Sequence, residues 1–162
     1  MLEVERPADM KAHEGKTIGT SEWVLVDQAM INAFADATGD HQWIHVDVER
    51  AKAHMPGGRT IAHGYLTLSL LPRLGDTIYR IRKTSRAINY GANKVRFTAP
   101  VPSGSRVRLH YLLKSVEDMT GGVRLTFDST VELEGSDKPA LVAEWLTLYV
   151  MDGDHAKAEE RS

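Results

Sequence analysis

The sequence predicts an α+β domain in which an antiparallel sheet wraps one buried helix. Apolar residues surround the segment 62–74 on most sides, which is typical of a helix buried among other elements. Later segments alternate apolar and polar residues, which predicts strands with one buried face. The connections 100–104, 117–122 and 135–138 are too short for crossover helices, so we expect successive strands to pair antiparallel as a meander.

The length and composition of the chain limit the functions that it can have. The chain has 162 residues, of which 42% are hydrophobic and 26% charged, enough for one well-buried core and short for two. We expect a single domain over 1–162, with an irregular N-terminal arm over 1–20 and a charged tail over 152–162 that frays. The net charge of −2 gives no bulk attraction for nucleic acid or an anionic membrane. The lack of cysteine, of an apolar signal segment and of a membrane-length apolar run favours a cytoplasmic protein.

The first elements are a short strand over 21–26 and an amphipathic helix that ends at Asp40. Asp27 stands where a carboxylate can cap this helix, and Gly39 stands where a left-handed residue ends it. Between them the apolar residues recur at helical spacing: Met30, Ile31, Phe34 and Ala37.

A polar loop, 41–60, joins this helix to the central one. It holds a possible helical turn at 48–53 and the breaker Pro56-Gly57-Gly58, which must be a turn or a mobile flap. In the central helix, Pro72 cannot donate its backbone hydrogen bond and predicts a kink or a stop.

Strands follow a charged link. The residues expected on their buried face are Asn93, Val95, Phe97, Val107, Leu109, Tyr111, Val123, Leu125 and Phe127. The last strand, 140–151, is apolar on both faces and is expected to be covered on two sides.

Acid and base side chains stand on the loop directly after the first helix. Asp40 and His45 are five residues apart, so both can point into one small space, where a carboxylate and an imidazole can hold, deprotonate and reprotonate a water molecule. Ordinary turn chemistry for Asp40 and a solvated loop histidine are the alternatives.

A metal site is a second interpretation of the polar residues around this loop. The candidate ligands are His41, His45, Asp47, His54 and His63. Their spacing does not match the H-E-x-x-H signature and the loop offers no fixed scaffold, so no metal is assigned.

Gly64 opens the central helix, where an unpaired backbone N–H can hold a carbonyl oxygen that becomes an oxyanion. Alternatively, Gly64 lets the helix and the sheet approach closely. Ser69 is polar in an otherwise apolar helix, so it either bonds its own backbone or orients the catalytic carboxylate.

Two stretches resemble MaoC-like (R)-specific enoyl-CoA hydratases, whose motif is F-A-x-x-[ST]-G-D-x-N-P-[IL]-H-x-D followed by A-H-G. The matching residues of the first stretch are Phe34-Ala35, Thr38-Gly39-Asp40, Ile44-His45, Asp47, Ala51 and Ile61-Ala62-His63-Gly64. The second stretch runs from Asn93 to Phe97 and on through Pro100-Val101-Pro102, Gly104 and Val107. Gln42 and Trp43 replace the usual Asn and Pro, a variant that looks like the nodulation-protein-N-like branch.

The resemblance implies the hot-dog fold, a long helix wrapped by an antiparallel sheet, and reversible hydration of a trans-2-enoyl-CoA to a (3R)-hydroxyacyl-CoA. By the same resemblance Asp40 activates the water, His45 is its partner in moving the proton, and the Gly64 amide receives the thioester oxygen. Ser69, Gln42 and His63 would support them. Neither a metal nor a redox cofactor is implied.

The resemblance also implies a homodimer, which would satisfy exposed sheet edges. The phosphates of acyl-CoA are expected at a group of basic residues, although a charge run is also typical of a solvated face. This group is Arg80, Arg82, Lys83, Arg86, Lys94 and Arg96. The acyl chain is expected in an apolar space lined from the central helix, including Tyr65, and from the Trp43 loop.

Two other functions fit the same fold. An acyl-CoA thioesterase often carries a carboxylate on the central helix, and the segment 64–74 has none. A non-catalytic acyl-thioester binding protein is the second alternative.

Overall fold

The computed structural model describes residues 1–151, so the predicted fraying of 152–162 lies outside the described residues. The first half of the chain contains β1 (Leu2–Val4), a 3-10 helix (Pro7–His13), β2 (Thr17–Thr20), β3 (Val24–Val26), α1 (Gln28–Thr38), α2 (Trp43–Val46), α3 (Val48–His54) and a 3-10 turn (Pro56–Gly58). The second half contains α4 (Gly64–Ser69), α5 (Leu71–Gly75), β4 (Tyr79–Ile81), β5 (Arg86–Phe97), β6 (Ser105–Met119), β7 (Gly122–Leu133) and β8 (Leu141–Val150).

The first twenty residues are ordered elements, so the prediction of an irregular arm is wrong. β1 pairs in parallel with β4, and β2 pairs antiparallel with β6. Between them, Met10 of the 3-10 helix is fully buried. Strands of three and four residues are too short to show alternation, which is why the sequence pattern missed them.

The cap predicted for the first helix is confirmed. Asp27 accepts a hydrogen bond from the Met30 amide at 2.8 Å, and Gly39 ends α1 in the left-handed conformation with φ 78°. The helical turn predicted at 48–53 is α3, which begins at the cap residue Asp47. The strand predicted at 21–26 is shorter and covers only β3.

The main sheet has the strand order β2-β6-β7-β8-β5, and β3 also pairs with β6. β6, β7 and β8 pair antiparallel in succession, as the meander prediction requires. β5 pairs with β8, so the expectation that it pairs with the strand directly after it is wrong. The intervening connection does not form a hairpin because its backbone is bound elsewhere: Val101 accepts from Ala62, and Gly104 donates to Val26.

The alternation predicted for β6 and β7 is confirmed, since their apolar residues face the core. These residues are Val107, Leu109, Tyr111, Val123, Leu125 and Phe127. β5 does not follow the prediction: Phe97 is 45% exposed, and register shifts near Lys94, whose φ is 52°, break the alternation. β5 is therefore an exposed, irregular edge strand.

The central helix packs against strands β6 and β8 of this sheet, which confirms the α+β class. It consists of two short helices, α4 and α5, that meet at Leu70, so the interruption predicted near Pro72 is confirmed. Leu66, Leu71 and Leu74 are buried, whereas Tyr65 is 68% exposed and departs from the predicted all-round burial. Within residues 1–151, no helix is long and apolar enough to cross a membrane.

Candidate active site

Asp40 is presented by the end of α1. The Gly39 amide closes that helix on Ala35 at 2.8 Å, and the chain then turns so that the Asp40 carboxylate is half exposed. The backbone N–H of Gln42 lies 3.4 Å from Oδ1 of Asp40. The contact between Gln42 and Asp40 is therefore made by the Gln42 main chain.

His45 is buried in α2 with 7% of its surface exposed. Its Nδ1 donates to the carbonyl of Ile61 at 2.7 Å. Because a carbonyl can only accept, the neutral ring carries its proton on Nδ1 and leaves Nε2 as an acceptor. Gln28 also holds the His45 backbone, since its Nε2 donates to the His45 carbonyl at 2.7 Å.

His63 completes a compact group with these two residues. It is 3% exposed, and its Nε2 donates to the Asp40 carbonyl at 2.9 Å and lies 4.0 Å from Oδ2 of Asp40. Its Nδ1 is buried without a hydrogen-bond partner in the described part of the chain. One ligand atom from each of Asp40, His45 and His63 lies within 4.8 Å of the others. The loop and the start of the central helix thus bring a carboxylate and two imidazoles to one point.

The other candidate metal ligands lie apart from this group. His41 donates to Asp36 at 2.9 Å, and that hydrogen bond raises the pKa of His41. Asp47 caps α3, and His54 packs edge-on against the Trp43 ring.

Among residues 1–151, the group of Asp40, His45 and His63 is the set that could hold a metal ion. In both histidines one ring nitrogen is bonded to a backbone carbonyl, an arrangement that also occurs in metal-binding histidines.

A cavity of about 290 Å³ opens beside His45. Its lining residues are His45, Ile61, Ala62, Gly64, Thr67, Phe97, Thr98, Ala99, Pro100, Val101 and Ala140. The Gly64 N–H makes no hydrogen bond within the described chain. A Cβ at Gly64 would stand 2.7–2.9 Å from the Phe97 ring, so the close approach considered for this glycine is present. Thr67 is a cavity residue that the sequence did not single out.

The predicted supporting serine bonds its own helix. Ser69 Oγ donates to the Tyr65 carbonyl at 2.7 Å, the first of the two alternatives considered for it. Neither Tyr65 nor Trp43 lines the cavity: Tyr65 packs edge-on against Phe97, and Trp43 lies under the Arg50 guanidinium.

Three of the predicted phosphate-binding residues are engaged in ion pairs. Arg82 pairs with Glu3 and Glu5, and Lys83 pairs with Glu5 at 3.1 Å. Lys94 donates to Glu144 at 2.7 Å. None of these three, nor Arg86 at the start of β5, lines the cavity.

One protein family and several curated proteins are similar to this chain. The profile of the family described as "MaoC like domain" matches residues 9–133. The 3-hydroxyacyl-thioester dehydratase Z of Mycobacterium tuberculosis is 56% identical over 151 residues, which cover 93% of this chain and 99% of that protein. Nodulation protein N of Rhizobium leguminosarum is 45% identical over 147 residues, which cover 90% of this chain and 91% of that protein.

Among solved structures, R-hydratase PhaJ1 from Pseudomonas aeruginosa superposes with a TM-score of 0.68 at 20% identity, covering 91% of this chain and 86% of that one. At this identity the likeness shows the fold alone, and it confirms the hot-dog architecture.

Proposed function

Because the chain belongs to the family of MaoC-like dehydratases, we propose that it reversibly adds water to a trans-2-enoyl-CoA to give a (3R)-hydroxyacyl-CoA. A 3-hydroxyacyl-thioester dehydratase, the activity in the name of the 56% identical relative, runs this reaction in the opposite direction. The observation that carries the proposal is the placement of Asp40 within reach of His45, beside a cavity that opens at Gly64.

The proposed water site lies between Asp40 and His45. Asp40 removes a proton from the water as its oxygen bonds to the β-carbon, and the electrons of the C=C bond move to the thioester oxygen. His45, whose Nδ1–H is held by Ile61, presents Nε2 to the same water. The Asp40–His45 pair then returns a proton to the α-carbon, so water is added without an external acid or base.

The negative charge on the thioester oxygen needs a hydrogen-bond donor. The Gly64 N–H lines the cavity and has no partner within the described chain, which supports its assignment to this oxygen. His63 is assigned a supporting role because it bonds the Asp40 backbone and stacks on His45. Gln42 is assigned a supporting contact to Asp40 through its backbone, and Ser69, which bonds its own helix, is assigned no direct part in the reaction.

A homodimer is part of the proposal. β5 is the terminal strand of the sheet, and its residues 86–90 are all exposed, including Ile88 and Tyr90. A second copy pairing on this edge would cover these side chains and satisfy the open backbone groups. Antiparallel pairing of two β5 strands would also bring the Arg86 end of one strand beside the Phe97 end of the other.

That geometry supports a phosphate site near the dimer interface. Lys94 lies on β5 close to Phe97, and Arg82, Lys83 and Arg86 lie toward the opposite end of the strand. In a dimer both groups would flank one cavity, with Tyr65 next to it against the lining residue Phe97. The acyl chain would enter the apolar lining, and the nucleotide would stay outside.

Turnover of crotonyl-CoA tests the proposal against its two alternatives. A hydratase removes the enoyl absorbance and releases no free thiol, whereas a thioesterase releases thiol. A binding protein does neither, although it would still retain the ligand. Thiol release, or binding with no loss of absorbance, would reject the proposed activity. The cytoplasmic location and the lack of a cofactor remain predictions from the sequence.

A further inference from the structure

Thr67 is a buried polar residue on the wall of the cavity. Only 3% of its surface is exposed, and the cavity that it lines also contains His45 and Gly64. The Thr67 hydroxyl makes no hydrogen bond within residues 1–151, and its oxygen is not among the fully buried atoms that lack a partner, so it is open to the cavity that this residue lines. Buried hydroxyl groups normally find a partner, so an unpaired one that faces a cavity indicates a ligand atom or a water molecule.

The usual internal partner of a helical threonine is already occupied. Threonine in a helix often bonds the carbonyl four residues earlier, as Ser69 does with Tyr65 in the same helix. For Thr67 that carbonyl belongs to His63, and it accepts the backbone amides of Leu66 at 3.0 Å and of Thr67 at 3.2 Å. The Thr67 hydroxyl therefore remains available to the cavity.

Thr67 also lies on the same side of the helix as Gly64. Residues three apart in a helix are neighbours about 5–6 Å apart at Cβ, and helical side chains lean toward the preceding turn. The Thr67 side chain thus leans toward the turn that begins at Gly64, and both residues line the same cavity. Two unpaired donors, one from the backbone and one from a side chain, line one cavity.

We propose that Thr67 contacts the substrate and that its hydroxyl donates a second hydrogen bond to the thioester oxygen, beside the Gly64 N–H. This inference rests on the proposed hydratase function. The oxygen accepts through two lone pairs and gains negative charge when water adds to the β-carbon, so both donors stabilise the transition state more than the substrate. In this proposal the Asp40–His45 pair transfers protons, and Thr67 stabilises the negative charge on the thioester oxygen.

Kinetics of matched variants test this assignment. Thr67→Val keeps the shape and removes the hydroxyl, and we expect kcat for crotonyl-CoA to fall by about 10²-fold with little change in KM. Thr67→Ser keeps the hydroxyl and should stay within a few-fold of the wild type. Thr126→Val, which removes a buried hydroxyl on β7 outside the cavity, serves as the control. If Thr67→Val does not fold, Thr67→Ala replaces it.

A spectroscopic measurement separates a contact from a structural effect. In an Asp40→Asn background the enoyl thioester should bind without turning over, and hydrogen bonds to its oxygen shift its ultraviolet absorption to longer wavelength. Adding Thr67→Val should reduce that shift, and adding Thr126→Val should not. A bound thioester whose shift is unchanged by Thr67→Val overturns the inference. Failure of the Asp40→Asn protein to bind any enoyl thioester would instead count against the proposed function.

Discussion

His45 and His63 stack with their ring centroids 3.8 Å apart and an interplanar angle of 25°. Each ring is fixed by a hydrogen bond to a backbone carbonyl, Ile61 for His45 and Asp40 for His63. The polar loop and the start of the central helix are therefore connected by side-chain contacts as well as by the covalent backbone. Of these two stacked rings, only His45 lines the cavity.

Asp40→Asn and His45→Gln should each lower kcat for enoyl-CoA hydration by about 10²–10⁴-fold, the range of general acid–base groups. The Asp40 side chain is half exposed, so its replacement should leave the melting temperature nearly unchanged. Because we propose that both side chains act on one water, the double variant should be little slower than the slower single variant. Near-normal turnover by folded Asp40→Asn would show that this loop does not perform the chemistry.

Gly64→Ala should impair both folding and catalysis through Phe97. The added methyl group would stand 2.7–2.9 Å from that ring, so the ring must move and the cavity wall with it. We expect a loss of about 1–3 kcal/mol in the free energy of unfolding and a fall in kcat/KM. The control is a double-mutant cycle with Phe97→Ala, in which Gly64→Ala should cost less than it does alone. If Gly64→Ala lowers the free energy of unfolding equally in both backgrounds, the methyl group does not act through the Phe97 ring.

Replacing Ile88 and Tyr90 by aspartate should convert a dimer into a monomer. These side chains are 41% and 51% exposed on the edge strand β5, and buried charges would oppose pairing of two such edges. Light scattering at micromolar concentration measures the mass directly. Leu25→Asp, on the short strand β3, is the control because that residue is also exposed, at 49%. A wild-type protein that is already monomeric contradicts the proposed assembly.

Lys94→Ala and Arg86→Ala should raise KM for a CoA thioester in a salt-dependent manner and leave kcat nearly unchanged. The same variants should have normal KM for the pantetheine thioester, which lacks the nucleotide phosphates. Lys11→Ala, which removes an exposed lysine paired with Asp118, is the control. Equal changes in KM for both thioesters would mean that these cations act on the cavity and not on phosphate.

Glu144 should make the protein sensitive to acid. Hydrogen bonds from Lys114 and Lys94 lower the pKa of its carboxyl group to about 2. A carboxylate with a lowered pKa stabilises the folded state above its unfolded pKa of about 4.3, and this contribution is lost as the pH falls toward 2. Urea unfolding at several pH values between these limits should therefore show a steeper loss for the wild type than for Glu144→Gln. Parallel losses would show that the two lysines do not stabilise the ionised form.

The sequence correctly predicted those elements whose ends are determined by residues close to one another in the chain. Asp27 and Gly39 set the two ends of α1 because capping depends only on neighbouring residues. The partner of β5 could not be predicted, because hydrogen bonds from Ala62 and to Val26 hold the connection after it away from a hairpin. Contacts between distant residues decide that topology.

The same distinction holds for the site. The motif predicted that Asp40 and His45 lie together, and the structure brings them to one point with His63. Thr67 was missed because its hydrophobic neighbours mark it as an ordinary helix residue. The sequence does not show that the His63 carbonyl accepts two backbone amides, which leaves the Thr67 hydroxyl without its usual partner in the helix.

The pairing of β5 with β8 also orders the events of folding. Met119 and Gly122 close the β6–β7 hairpin over a very short loop, whereas Phe97 and its partner Leu141 are separated along the chain by the whole of β6 and β7. Closing longer loops costs more chain entropy, so we expect the meander to form first and β5 to dock last. Phe97 lines the cavity. Because β5 carries Phe97 and is expected to dock last, we expect a refolding chain to complete this cavity in the final step. The rate at which ligand binding recovers during refolding would therefore report when β5 docks.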